Sequence, residues 1–344
     1  MYTSLSIKNF RAFETLEIEG LKRVNLFTGR NNSGKTSVLE AVYLWWGSND
    51  ARRVERLFEA RGLASNRIER FSQRTMPWAT LFHDLEVEAD IQIVGTNETG
   101  SESKLEISTT LTDADRTALN VFNTDAADVL VTRKLHLSPR PRDFLLVKGK
   151  TIDFPQRAHS TDPRILFAGA KPDPRELAEY YNSLELDKSQ KSTLDALKII
   201  DPRITDLKTN FSDGYAVMYA DVARRRLLPL SVLGDGAGRL FQLALEMRRG
   251  EGGVVLIDEI ENGFHYSVLP KVWELIHKLA KQYNVQVFAV THSHECAVAA
   301  HEAANAADYD YGYFRIEQKN GVGRAVAYSH EQMQTSIEAN LEVR

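Results

Sequence analysis

The chain has 344 residues, 43% of them apolar and 26% charged, with a formal net charge of −4. That is the balance of an ordinary globular protein with chain enough for one large domain or two modest ones, and it excludes a chain-wide basic surface, so any contact with nucleic acid must be a local patch. A single cysteine, Cys296, rules out an intrachain disulfide framework. No leader pattern opens the chain and no apolar run approaches a membrane span of about 20 residues, so a cytoplasmic protein is expected.

In chain order, Leu5-Ser6-Ile7 and Leu16-Glu17-Ile18 alternate apolar and polar residues and read as half-buried strands. Asn9-Phe10-Arg11-Ala12-Phe13 lies between them. Arg23 to Thr28 is a short, largely apolar run that reads as a buried strand, and Ser37 to Trp46 reads as a helix. Between these two, Gly29-Arg30-Asn31-Asn32-Ser33-Gly34-Lys35-Thr36 fits G-x-x-x-x-G-K-[ST], a phosphate-binding loop in the strand–loop–helix context the motif needs. Gly29 and Gly34 let the backbone close around phosphates, and the amides from Asn31, Asn32 and Ser33 to Ser37 sit at a helix N-terminus that carries partial positive charge. Lys35 is placed to reach the β- and γ-phosphates of ATP, and Thr36 to hold Mg2+.

A strand, N-F-R-x-F, a second strand and then this loop near residue 30 resemble the N-terminus of SMC, RecF and OLD-type ATPases, the ABC-like ATPases of DNA metabolism and defence. The resemblance implies that Arg11 lies near the nucleotide.

Residues 50–75 are charged and helical in period, and Gln73 is a candidate for the glutamine loop by position alone. Residues 79–155 read as an antiparallel β-subdomain. Its strands are expected at Leu85–Ile93, Leu105–Leu111, Val129–Leu137 and Phe144–Phe154, the last with Lys148-Gly149-Lys150 at a hairpin tip. From 171 to 210 the period turns helical, through Leu177, Tyr181 and Leu184 and then Leu194 and Leu197, with Pro202 expected to start a further helix. This insertion stands where SMC proteins carry a long coiled coil, but no heptads run long enough for such an arm.

Residues 225–344 carry the second set of motifs. Leu233-Gly234-Asp235-Gly236-Ala237-Gly238-Arg239-Leu240 opens an apolar helix expected over Leu240–Met247. It resembles the degenerate signature segment of OLD-like ATPases, which implies phosphate contacts through the amides at Gly234 and Gly236 and through Arg239. Val254-Val255-Leu256-Ile257-Asp258-Glu259 resembles a Walker B strand. The resemblance implies that Asp258 binds Mg2+ and that Glu259 activates the attacking water. Val285 to Val290 followed by Thr291-His292-Ser293 resembles the late strand that ends in a switch histidine, so His292 is expected at the γ-phosphate. Glu261-Asn262-Gly263-Phe264-His265 stands where ABC ATPases cross a dimer interface, and Glu261 and His265 are read as interface residues. Gln318-Lys319-Asn320-Gly321 joins two short strands, and Asn-Gly is a hairpin signal.

The fold class expected is α/β: a P-loop NTPase, a single ABC-type ATPase head over 1–344 with an antiparallel β-subdomain and a short helical insertion. The resemblance implies ATP hydrolysis with Mg2+ and an ATP-dependent homodimer in which each P-loop faces the other chain's signature. No Toprim nuclease domain is expected, so a nuclease or other effector would be a separate chain. Two roles remain open. One is action on DNA, in repair or phage defence, through basic residues at 133–157 and Arg224-Arg225-Arg226. The other is a nucleotide-gated scaffold that holds a partner protein without acting on DNA.

Overall fold

In a computed structural model the chain is described over residues 1–46, 77–110, 129–135, 142–148, 151–153, 164–166, 174–199, 201–212, 215–304 and 310–339, with residues 53, 54, 57, 58, 61 and 113 besides. Gln73 and the tip at Gly149-Lys150 lie outside these residues, as do the side chains of the basic stretch 133–157. The chain folds as two compact units. One comprises Met1–Lys22, Gly29–Pro163 and Gly312–Ala327; the other comprises Arg23–Thr28, Arg164–Tyr311 and Tyr328–Arg344. Among the described residues no helix is long and apolar enough to cross a membrane.

The first unit is built on strands β1 (Tyr2–Phe10) and β2 (Phe13–Glu19), whose alternation buries Leu5 and Ile7 against Ile18 and Leu16 in antiparallel register. On the other side of β1 run β4 (Ile91–Asn97), β5 (Glu102–Ser108), β6 (Val129–Leu135), β7 (Arg142–Lys148) and β8 (Thr151–Asp153), each antiparallel to its neighbour. Beyond β2 lie β16 (Val322–Tyr328) and β15 (Tyr311–Lys319), joined by Asn320 and Gly321, both at positive φ as a tight hairpin turn requires.

Helix α1 (Lys35–Trp46) packs on this sheet. Its Trp45 lies against Gly95 so closely that a β-carbon there would sit 1.9 Å from the indole, and the indole N–H donates to the Ser103 carbonyl at 2.7 Å. Tyr2 meets Trp45 and Trp46 edge-on at 4.5 and 5.2 Å, the arrangement aromatic quadrupoles favour.

The strand expected at Leu85–Ile93 begins only at Ile91. Asp84 and Leu85 take positive φ in a short 3-10 turn, and the Asn9 side-chain amide donates to the carbonyls of Glu86 and Ala89. A long-range side-chain bond thus takes the acceptors that a ladder would have used.

In the second unit, β9 (Arg164–Leu166), β13 (Val254–Ile257), β14 (Gln286–Val290) and β3 (Val24–Thr28) form an all-parallel array in the order β3-β14-β13-β9. Every residue of β3, β13 and β14 is buried, as continuous apolar runs dictate when helices cover both faces. The helices are α2 (Pro174–Leu186), α3 (Lys191–Leu197), α4 (Asp235–Arg249), α5 (Leu269–Gln282), α6 (His294–Ala303) and α7 (His330–Glu338).

The helix expected from Pro202 is instead a turn leading to β10 (Asp206–Ser212), which pairs antiparallel with β11 (Tyr215–Asp221), itself flanked by β12 (Leu228–Pro229). Asp201 accepts from the backbone and side chain of Arg203 and so stabilises the turn. Leu207 then pairs with Ala220 on the buried face, a period-2 pattern that single apolar residues after Pro202 did not reveal.

Candidate functional site

The phosphate-binding loop follows β3 directly, and its two framing glycines are required by packing. Gly29 has φ 142°, and a β-carbon there would come within 2.4 Å of the Ile316 carbonyl oxygen. Gly34 has φ 96°, and a β-carbon there would meet the Phe13 ring at 2.3 Å. Asn32 adopts φ 62°, which asparagine tolerates. Asn31 and Asn32 are exposed, Thr36 is half-buried, and Ser33, Lys35 and Ser37 are buried.

The Lys35 ammonium donates to the carbonyls of Gly29 and Arg30, both at 2.7 Å, which holds it within the loop. No acidic residue occupies the first turn of α1, so the turn keeps its preference for an anion. Ser33 Oγ is buried and has no hydrogen-bond partner among the described residues. This donor set fits a polyphosphate.

Arg11 sits at the turn between β1 and β2 with φ 54°. Its guanidinium donates to the Thr80 carbonyl at 2.7 Å and pairs with Glu40 of α1 at 3.2 Å. Glu40 is 2% exposed and also pairs with Arg61 at 2.8 Å. Burial pulls the Arg11 guanidinium below its ordinary value, and Glu40 opposes that. Arg11 therefore braces the helix that follows the loop. Glu40 was visible in sequence only as one acid in the apolar run Ser37–Trp46.

Because breaking a buried pair leaves an uncompensated charge, Glu40→Ala is expected to cost roughly 3 kcal/mol. A lower denaturant midpoint at unchanged slope checks it; an unchanged midpoint would remove Arg11 from this bracing role.

The second unit places the other candidates at one sheet edge. Strands β3, β13 and β14 are parallel, so Thr28, Asp258 and Thr291 emerge at their common carboxyl end, where parallel α/β sheets bind ligands. The Thr291 amide donates to the Phe27 carbonyl at 3.2 Å, and the Ile260 amide to Val290 at 3.2 Å. Asp258 is 8% exposed, and a buried carboxylate at such an edge is a fitting oxygen ligand for Mg2+.

Glu259 has φ 47°, a strained value for a residue with a side chain. Its Oε2 accepts from the Asn262 amide at 2.5 Å. Glu261, read as an interface residue, accepts within its own chain from the Thr291 hydroxyl at 2.7 Å and the His292 backbone N–H at 2.9 Å. His265 accepts from the Ser267 amide and lies beside Tyr266, the two rings tilted at 38°. Cys296 is buried nearby, and burial pushes its thiol up to about 12, so it is no nucleophile.

The signature segment is already helical. Helix α4 begins at Asp235, five residues before the expected Leu240, with Gly234 as its N-cap at φ 98° and Gly236 in its first turn. Arg239 donates to the Asp258 carbonyl at 3.3 Å. Burial lowers its ordinary value, and the neighbouring Asp258 and Glu259 oppose this. Gly263 lies against Arg239, where a β-carbon would be 3.7 Å from that of the arginine.

A P-loop entering a helix from one parallel strand, with paired acids and a histidine after its neighbours, defines an ABC-type ATPase head. Residues 24–296 match the family described as "AAA domain, putative AbiEii toxin, Type IV TA system". The chain belongs to that family, AAA_21.

Among curated proteins it is 23% identical to an "ATP/GTP phosphatase" of Helicobacter pylori over 329 residues, covering 86% of each chain. It is 45% identical to the "DNA replication and repair protein RecF" of Nitrosococcus oceani over 53 residues, which is only 15% of each. Among solved structures it resembles an SMC head bound to the C-winged helix domain of ScpA (TM-score 0.52, 14% identity, 97% of this chain and 99% of that one). It also resembles an SMC head with an extended coiled coil, bound to the C-terminal domain of ScpA derived from Pyrococcus furiosus (TM-score 0.52, 12% identity, 98% and 99%). The expected fold and ATPase class are thereby met: the chain is an ATPase of the AAA_21 family, and its fold is that of an SMC head.

Proposed function

We propose that the chain hydrolyses ATP at the carboxyl edge of β3, β14 and β13 and that this cycle drives dimerisation. The observation that carries the proposal is the parallel register that brings Thr28, the last residue of β3, and the residues that follow β13 and β14, Asp258-Glu259 and Thr291-His292, to one edge. Lys35 and the loop amides bind the phosphates, Glu259 takes the proton of the attacking water, and His292 contacts the γ-phosphate. Thr36 and Asp258 would hold Mg2+, which would supply charge neutralisation for the phosphates. The Gly234–Gly236 segment faces the nucleotide of a second copy, with Arg239 anchoring it to the Asp258 backbone.

The work done is placed on DNA, in repair or defence against phage, with any nuclease on a separate chain and the compartment cytoplasmic. Arg224, Arg225 and Arg226 support this reading. They are exposed between β11 and β12 and make no ion pair among the described residues. RecF, similar over a short stretch, is named for DNA replication and repair.

The test is ATP turnover with and without DNA over a salt series. Stimulation that falls steeply with salt, and that the triple alanine variant of 224–226 loses, is the expected result. Turnover indifferent to DNA would transfer the reading to a nucleotide-gated scaffold for a partner protein.

A further inference from the structure

We propose that Glu261 is a positioning residue for hydrolysis, acting through Thr291 and His292; this rests on the role given to His292 above. The turn after β13 carries two side chains with separate tasks. Asn262 holds the Glu259 carboxylate, and Glu261 reaches back to the end of β14.

Both Glu261 oxygens are engaged there. Oε2 accepts from the Thr291 hydroxyl and Oε1 from the His292 amide. The Thr291 oxygen itself accepts from the Ser293 amide at 3.0 Å, so its one proton points to Glu261. Thr291 is fully buried, and its own amide is bonded to Phe27 in β3. The backbone from Thr291 to Ser293 is thus held on three sides, and the His292 side chain leaves from a fixed point. A carboxylate suits this role because it accepts at both oxygens, whereas a glutamine presents a donor to one of two donors. Bonds to a charged acceptor are also about twice as strong as neutral ones.

The clamp links the turn that carries Glu259 to the strand end that carries His292. A displacement of either group moves the other, so the water-activating carboxylate and the phosphate-contacting histidine keep one spacing. That coupling acts on turnover and leaves ATP affinity to the phosphate loop.

The test compares Glu261→Gln, Thr291→Val, Thr291→Ser, the Glu261→Gln/Thr291→Val double variant and His292→Ala in the full chain. Turnover, ATP affinity and melting temperature are read for each. Glu261→Gln and Thr291→Val are expected to lower kcat about tenfold or more with KM and ATP affinity within about twofold of wild type. Thr291→Ser, which keeps the hydroxyl, is expected to retain turnover. The double variant is expected to be no slower than the slower single one, since both break one clamp.

Wild-type turnover in both Glu261→Gln and Thr291→Val, or a loss of ATP affinity and melting temperature in step with kcat, would overturn the proposal. His292→Ala separates the two levels. A slow His292→Ala beside normal Glu261→Gln and Thr291→Val sinks the positioning role alone. A His292→Ala at wild-type rate sinks the reading of His292 and this inference with it.

Discussion

Glu259→Gln is expected to reduce ATP turnover about a thousandfold, within the range that general-base catalysis supplies, while leaving ATP binding intact. Glutamine is nearly isosteric, and its carbonyl oxygen can still accept from the Asn262 amide that holds Glu259 at 2.5 Å. The strained φ of 47° at this residue is unchanged by the substitution, so the fold carries the same strain with the proton acceptor removed. ATP then binds without being consumed. Mass measured in solution with ATP and Mg2+ should show the variant accumulating as a dimer under conditions in which the wild type cycles back to monomer. A variant that turns over normally would remove Glu259 from the chemistry. One that is inactive yet never changes mass would detach dimerisation from nucleotide.

Lys35→Ala is expected to weaken ATP binding by about a hundredfold, corresponding to roughly 3 kcal/mol for a charged contact with phosphate, and turnover falls with it. Lys35 is 3% exposed and its ammonium donates to two carbonyls of its own loop, so its charge is already directed to the loop's interior. Arginine is a poor replacement, since a planar fork does not fit where a compact point charge sits. Titration of a fluorescent ATP analogue measures the effect. Undiminished affinity in Lys35→Ala would reduce the loop to a glycine turn shaped by Phe13 and Ile316.

The two substitutions separate binding from chemistry. Lys35→Ala should abolish the nucleotide-dependent change in mass, whereas Glu259→Gln should exaggerate it. If both produced the same phenotype, the division of labour between phosphate loop and paired acids would be wrong.

Much of this molecule was legible in the order of its residues. The Gly29–Thr36 spacing, the apolar runs Val254–Ile257 and Val285–Val290, and the polar residues that end them are local patterns, and local patterns survive in a string of letters. A buried parallel strand needs no partner to be recognised, because both its faces must be apolar. The Asn-Gly turn between β15 and β16 was legible for the same kind of reason: few residues accept its backbone angles.

What the letters did not carry was decided by contacts between distant segments. Asn9 captures the carbonyls of Glu86 and Ala89 and delays β4 to Ile91. The Asp201–Arg203 turn and the register of Leu207 on Ala220 convert an expected helix into a hairpin. Arg11 pairs with Glu40, and Glu261 accepts from Thr291 and His292, partners that no local pattern named. By itself the sequence determined which chemical groups this protein possesses and which strands carry them, because composition and spacing are one-dimensional. The tertiary structure alone decided which charge faces which partner, because a carboxylate's role is set by the donors within about 3 Å of it, and those come from residues 29 to 31 positions away along the chain.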